Sequence, residues 1–242
     1  MSTTARPAFY ALARGGWRDY ATLLHPPYTL WHLSYVAIGA ALAPEWHPAR
    51  LLAALAAFFL AVGIGAHALD ELNGRPLATR IPSRVLAGAA VVSIGAAVAI
   101  GIAGAIVVDL WLLAFVAAGA VIVCAYNLEL LGGHFHSDAW FALDWGAFPL
   151  LTAYFACAGE IRVEAVLAAA FAALASYAQR RLSSPVRRLR REVAAVSGTV
   201  ELADGSREQV TRETLILGNE AALRAFALAM VALAVALAVL RA

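Results

Sequence analysis

The sequence has no lysine, few charged residues and only two cysteines. All 18 of its basic residues are arginine, and charged residues make up 14% of the 242 positions, compared with about 25% in ordinary soluble domains. The absence of lysine is typical of a high-GC bacterial coding bias. Cys124 and Cys157 both lie within apolar runs, so we interpret them as free, buried thiols that carry no information about an oxidising compartment.

Several motifs of soluble enzymes and binding proteins are also missing. The chain has no nucleotide-binding loop, no Gly-x-Ser-x-Gly sequence and no paired-cysteine motif. Its arginine-rich stretch is better explained by lipid head groups than by nucleic acid, so no nucleic-acid partner is expected. The first residues contain no continuous apolar run before a small-residue cleavage site, so no signal peptide is predicted.

Hydrophobic residues, in contrast, make up 62% of the chain, compared with about 45–50% in soluble domains. This composition indicates an integral membrane protein. A spanning helix needs about 20 mainly apolar residues, and backbone hydrogen bonding requires such spans to be helical when they do not form a barrel. We predict one all-α transmembrane domain over residues 1–242, with seven spans near 28–44, 51–69, 85–104, 107–127, 139–158, 163–180 and 217–240.

The distribution of arginine predicts how these spans are oriented. With a cytoplasmic N-terminus, only Arg50, Arg162 and Arg241 of the 18 basic residues lie outside, as the positive-inside rule favours. We therefore predict a multi-pass protein of the bacterial inner membrane with its N-terminus in the cytoplasm. The connections after the second, fourth and sixth spans then face the cytoplasm together.

The longest connection, residues 181–216, has two parts. The stretch RRLSSPVRRLRREV is basic and is predicted to form an interfacial helix held by anionic lipid. The stretch GTVELADGSREQVT places the Asp204-Gly205 pair between two short β-type runs, which predicts a small β-hairpin.

His67, Asp70 and Glu71, in the sequence HALDE, form the first cluster of chemically reactive side chains. On a helix, positions i, i+3 and i+4 share one face. Because the cluster directly follows an apolar run, a helix end that returns to solvent would produce the same pattern.

The second cluster, in ELLGGHFHSD, contains Glu129, His134, His136 and Asp138. The Gly-Gly pair is predicted to break the helix, and alternation places both histidines on one side of an extended segment. We expect the segment to fold over the cytoplasmic end of the second span, where the two clusters would meet. Carboxylates and imidazoles together suit iron, zinc or manganese better than magnesium.

The two clusters together predict a shared divalent-metal site. Its proposed ligands are His67, Asp70, Glu71, Glu129, His134, His136 and Asp138. His32 and Asp144 lie within predicted spans, where an ionisable residue is a functional candidate by default, and they are further candidates. For His32, a hydrogen bond to a backbone carbonyl is an equal alternative.

Longer stretches of the chain resemble UbiA-type membrane prenyltransferases. LLHPPYTLWHLSYVAIGAALAP resembles their first helix, and GRPLATRIPSRVLAGAA the segment after their first aspartate motif. YNLELL and FALDWGAFPLLTAYFACAGE resemble their fourth-to-fifth helix region. The resemblance extends over residues 20–180, with a further similarity at LILGNEAALRAFAL. It implies a UbiA-like helix bundle.

That family holds magnesium against a prenyl diphosphate with two aspartate motifs, and this chain departs from both. The first motif, Asn-Asp-x-x-Asp-x-x-x-Asp, falls on Ala66, His67, Asp70 and Gly74, so only one aspartate is kept. The second, Asp-x-x-x-Asp, falls near QRRLSSPVRR, which contains no aspartate.

Three functions are open on these grounds. The first is a metal-dependent membrane enzyme acting on an isoprenoid, quinone-like or other lipid at the histidine-carboxylate site. The second is a divergent magnesium-dependent prenyltransferase or terpene cyclase, with Arg75, Arg80 and Arg84 as phosphate-binding residues. The third is a non-enzymatic lipid or quinone carrier that binds no metal.

Overall fold

The structure, a computed structural model, describes residues 6–242 and is mostly helical. The α-helices are α1 (Trp17–Leu23), α2 (Pro26–Leu42), α3 (Pro48–Phe58), α4 (His67–Leu72), α5 (Ser83–Val107), α6 (Leu112–Asn127), α7 (Leu130–Gly133), α8 (Asp138–Ala142), α9 (Phe148–Ala158), α10 (Val163–Arg191) and α11 (Arg212–Arg241). Two π-helical segments, Phe59–Ala66 and Leu143–Ala147, join α3 to α4 and α8 to α9, and strands β1 (Thr199–Glu201) and β2 (Arg207–Gln209) lie between α10 and α11.

Four helices in the described part of the chain are long and apolar enough to cross a membrane. They are Pro48–Leu72, Ser83–Val107, Asp138–Ala158 and Arg212–Arg241, which include four of the seven predicted spans. The other three predicted spans are also helical, but α2 and α6 have 17 and 16 residues, and α10 ends in an arginine-rich stretch. Large apolar side chains such as Leu217 and Leu228 are exposed on α11, as expected for a surface that faces lipid.

The core of the bundle lies where α2 packs against α9, α10 and α11. Trp31 and Tyr35 of α2 and Leu150 of α9 are almost fully buried there. Gly39 permits the close approach of α2 and α9, because a Cβ atom at this position would overlap the backbone carbonyl of Leu150. Small residues at helix interfaces are typical of helices that pack in lipid.

A second set of contacts holds α4 in place. Leu86 and Ala90 of α5 are buried together with Ala68 of α4. In the preceding π-helical segment, Gly65 lies against the side chains of Ser93 and Ile94 of α5. These contacts fix the position of the helix that carries the first histidine-carboxylate cluster.

Helix α10 is continuous over 29 residues, whereas the sequence predicts a span followed by a separate interfacial helix. Pro185 lies inside it at an exposed position. In the preceding turn, the hydroxyl groups of Ser183 and Ser184 donate hydrogen bonds to the Arg180 carbonyl. Because the helix continues through this turn, the arginines that follow it lie against the end of the bundle.

The predicted hairpin is confirmed. β1 and β2 pair antiparallel, with Val200 opposite Glu208. At the turn, Gly205 has a φ of 83° and the Asp204 carboxylate accepts a hydrogen bond from the Ser206 amide. A positive φ is accessible to glycine at little cost, which explains why the Asp-Gly pair marks the turn. Both strands are exposed.

Candidate functional site

A polar cavity of about 410 Å³ lies at one end of the bundle. Its walls come from the N-terminal segment, the start of α2, α4 with the π-helical segment before it, the end of α6 with the loop after it, α8 with the π-helical segment after it, and the end of α10. The structure therefore brings together the chain segments that carry the two histidine-carboxylate clusters. Among the predicted site residues, the cavity is lined by His32, His67, Asp70, Glu129 and His136.

Two histidines stack face to face in this cavity. The rings of His25 and His67 have centroids 4.0 Å apart and planes 14° apart. The His67 Nδ1–H donates to the Gly63 carbonyl at 3.1 Å, so the other ring nitrogen of His67 carries no proton while the ring is neutral. Burial lowers the pKa of His25 well below its usual range, and His67 adds to this effect. His25 directly precedes α2 and has a left-handed backbone conformation, with a φ of 45°.

His136 reaches the cavity from the loop after α6. Its Nδ1–H donates to the Tyr126 carbonyl at 3.2 Å, and its ring stacks on that of Tyr126 with centroids 4.5 Å apart. Glu129 lies 3.9 Å from the same nitrogen. Glu129, Leu131 and the Gly132-Gly133 pair all have positive φ, so the chain reverses here, as the Gly-Gly pair predicts.

Other residues of the predicted metal site lie elsewhere. The segment after α6 is a helical turn, not an extended strand, and His134 is exposed beside Trp140. The Asp138 carboxylate forms ion pairs with Arg180 at 3.2 Å and Arg181 at 3.4 Å. These contacts tie α8 to α10.

Glu71 has a structural position. Its side chain is fully buried, and its two carboxylate oxygens accept hydrogen bonds from the amides of Leu77 at 2.9 Å and Thr79 at 2.7 Å. The carboxylate therefore closes the loop between α4 and α5. Of the α4 cluster, only His67 and Asp70 line the cavity.

His32 and Asp144 lie deeper, beside Trp145. The His32 Nδ1–H donates to the Trp145 carbonyl at 2.8 Å, which is the backbone contact considered as the alternative to a ligand role. Asp144 lies in the second π-helical segment and is buried, with no hydrogen bond to its Oδ2 from the described residues. It does not line the polar cavity.

The arginines that line the polar cavity are not the predicted ones. Arg75 donates instead to the Ile81 carbonyl and the Ser83 hydroxyl, and Arg80 and Arg84 are exposed. None of the three lines the cavity, which is lined instead by Arg180, Arg187 and Arg191 of α10. The signal for these three was present in the sequence, because their spacing of seven and four residues places them along one face of a helix.

Arg187 differs from the other cavity arginines in its contacts. It is half-buried, its only described hydrogen bond goes to the Ser184 hydroxyl of its own helix, and it has no ion pair with a described acid. Burial, with the positive charges of Arg180 and Arg191, lowers the pKa of Arg187 to about 10. The acidic side chains of Asp70, Glu129 and Glu192 also line the cavity, but none of them forms an ion pair with Arg187. A half-buried cation without a close counter-charge is costly.

The N-terminal segment forms the outer wall of the cavity. The Arg191 Nε–H donates to the Pro7 carbonyl at 3.3 Å. The guanidinium of Arg224 lies 4.9 Å from the centre of the Phe9 ring, and Tyr10 packs beside His25. The cavity is thus bounded on this side by main-chain carbonyls and aromatic rings.

The residues of the cavity do not form a preorganised set of metal ligands. In residues 6–242, no group of three or more histidine, cysteine, aspartate or glutamate side chains lies close enough to hold a metal ion. The reason is that Glu71 and Asp138 are already bonded to amides and arginines, while His134 is turned outward. The two clusters meet at one cavity without forming a set of metal ligands.

Comparison of the chain with protein-family models, curated protein sequences and solved structures gives no match in any of the three. The UbiA-type resemblance rests on the quoted sequence stretches alone. Function must therefore be inferred from the chemistry of the site.

Proposed function

We propose that this chain is a membrane protein that binds an isoprenoid-type lipid with a phosphate or diphosphate head group in the polar cavity. Arg187 is the observation that supports this proposal, because it is a half-buried cation without an acidic partner among the described residues. Arg191 lies one helical turn further along the same wall. Guanidinium groups bind phosphate oxygens through pairs of charge-assisted hydrogen bonds.

The rest of the cavity suits the other half of such a lipid. The apolar side chains of Val62, Ala66, Phe141 and Trp145 line the cavity together with the arginines, and the Arg180 guanidinium lies 5.3 Å from the centre of the Phe141 ring. The cavity therefore offers both charged and apolar surface. A head group bound by the arginines would place the first carbons of its chain against the apolar side chains.

The departures from the UbiA-type motifs are consistent with this assignment. The second aspartate motif of that family would fall at the end of α10, and this is where the cavity arginines lie. In the family, aspartates present positive charge to the diphosphate through magnesium. Here the arginines present positive charge directly. A diphosphate can therefore be bound even though the aspartates of the family are absent. This reasoning favours a divergent prenyltransferase or terpene cyclase over a carrier that has lost all chemistry.

The architecture that accompanies this function is a UbiA-like bundle in the bacterial inner membrane. In it, α2, α6 and the apolar part of α10 complete a set of seven spans with the four long apolar helices. The basic segments around the polar cavity face the cytoplasm, as the positive-inside rule favours.

Binding of farnesyl diphosphate to the purified protein in lipid nanodiscs tests the proposal. We expect binding in the presence of EDTA, because arginines and not a metal supply the positive charge. Farnesol, which lacks the diphosphate, should displace labelled farnesyl diphosphate at least tenfold less well than the unlabelled diphosphate does. Equal displacement by the two molecules, or no binding of farnesyl diphosphate, would contradict the proposal.

The metal-dependent enzyme is the second candidate, because His67, Asp70, Glu129 and His136 line a single cavity. It requires these side chains to move together around an iron, zinc or manganese ion. Metal analysis of the purified protein tests this candidate. Near-stoichiometric metal that falls on His136→Ala, but not on the matched change His47→Ala, would establish it, and metal-free protein would exclude it.

A further inference from the structure

A second cavity, here called the apolar groove, lies in the other half of the bundle. It has a volume of about 440 Å³ and is bounded by α3 with the π-helical segment after it, the second half of α5, most of α6, and α9. Its walls are mainly alanine, glycine, valine and phenylalanine side chains. Such walls accommodate a hydrocarbon chain.

Asp144 is the acidic residue among those that line the groove. Asp144 lines the groove and is 4% exposed, and its Oδ2 is buried without a hydrogen-bond partner among the described residues. Among the other polar side chains of the groove, Thr152 donates to the Phe148 carbonyl and Arg50 to the Cys157 carbonyl, whereas the Trp145 Nε1–H is a second buried polar group without a partner among the described residues. A buried carboxyl without a partner is costly, so Asp144 identifies the point at which a ligand must supply a donor.

The groove is a separate compartment from the polar cavity. Val62 and Trp145 line both spaces and lie between them. Each belongs to one of the two π-helical segments, a rare conformation that occurs frequently at functional sites. A lipid in the groove is therefore distinct from one whose head group lies at the arginines of α10.

We propose that the apolar groove binds an uncharged lipid alcohol, with its hydroxyl group donating a hydrogen bond to Asp144. A plain acyl or hydrocarbon chain would fill the groove but leave the carboxyl without a donor. A cation would lack further ligands in these walls. The inference does not rest on the function proposed for the polar cavity.

Competition with labelled geranylgeraniol in nanodiscs tests this site. The competitors are unlabelled geranylgeraniol and the hydrocarbon of the same chain without the hydroxyl. We expect the alcohol to compete at least tenfold better, as one hydrogen bond to a charged or buried acceptor provides. Asp144→Leu should weaken binding of the alcohol about tenfold and remove the difference between the two competitors.

Two controls separate this site from the rest of the molecule. Asp109→Leu changes an exposed aspartate that does not line the groove, and Arg187→Ala changes the polar cavity. Both should leave binding of geranylgeraniol unchanged. Equal competition by alcohol and hydrocarbon in the wild-type protein would show that the groove holds ordinary lipid chains and would overturn the proposal. That comparison decides the question even if Asp144→Leu does not fold.

Discussion

Replacing Arg187 and Arg191 together by alanine is expected to weaken binding of farnesyl diphosphate by about 100-fold or more. Both guanidinium groups line the polar cavity, and each hydrogen bond to a charged group contributes about 1.5–3 kcal/mol. Arg187→Ala alone should weaken binding about tenfold or more, because a change of about 1.4 kcal/mol is one factor of ten. Equilibrium binding to the protein in nanodiscs measures both effects.

Arg188→Ala is the matched control for this experiment. Arg188 lies between the two arginines in the sequence, but it is exposed and does not line the cavity. Its loss removes the same formal charge, so it reports any general electrostatic effect of α10. Binding that falls equally in Arg188→Ala and Arg187→Ala would show that the helix attracts the ligand only through its overall charge.

Glu71→Ala is expected to destabilise the fold by about 3 kcal/mol. The change leaves the amides of Leu77 and Thr79 without their acceptor inside a region where Glu71 is fully buried. Each buried donor left unsatisfied costs about 1–3 kcal/mol. Thermal unfolding in detergent, followed by fluorescence, should show a clearly lower midpoint.

The size of this effect distinguishes a structural glutamate from a metal ligand. Glu208→Ala, on the exposed strand β2, should leave the unfolding midpoint unchanged. Glu71→Gln keeps one carbonyl acceptor and should lie between the wild type and Glu71→Ala. A Glu71→Ala variant that unfolds like the wild type but has lost bound metal would contradict the structural role and restore Glu71 as a ligand.

The helical class and the hairpin could be predicted because short-range patterns determine them. Long apolar runs require helices in lipid, and the Asp204-Gly205 pair meets the backbone requirement of a tight turn. The meeting of the two histidine-carboxylate clusters at one cavity followed from the order of the spans. These features depend on periodicity and chain connectivity, which are visible in the sequence.

The separate roles within the α4 cluster could not be predicted from spacing. Asp70 and Glu71 are neighbours on a helix and point about 100° apart, which is enough to place one in the cavity and the other under the α4–α5 loop. Which side faces the cavity depends on how α4 packs against α5. A pattern of i, i+3 and i+4 does not contain that information.

The cavity arginines were missed for a different reason. Pro185 and the basic residues around it favour ending the span near residue 180, since proline usually interrupts a helix. In the structure, α10 continues through Pro185, and Arg187 and Arg191 reach the cavity wall. His25 is likewise absent from the predicted site, because nothing in its local sequence shows that it stacks on His67.

An experimental structure of the protein with bound farnesyl diphosphate tests the central claim most directly. We expect the diphosphate oxygens within about 2.7–3.2 Å of the guanidinium nitrogens of Arg187 and Arg191, in the cavity that these residues line. A diphosphate bound at Arg75, Arg80 and Arg84, or outside the polar cavity altogether, would contradict the account.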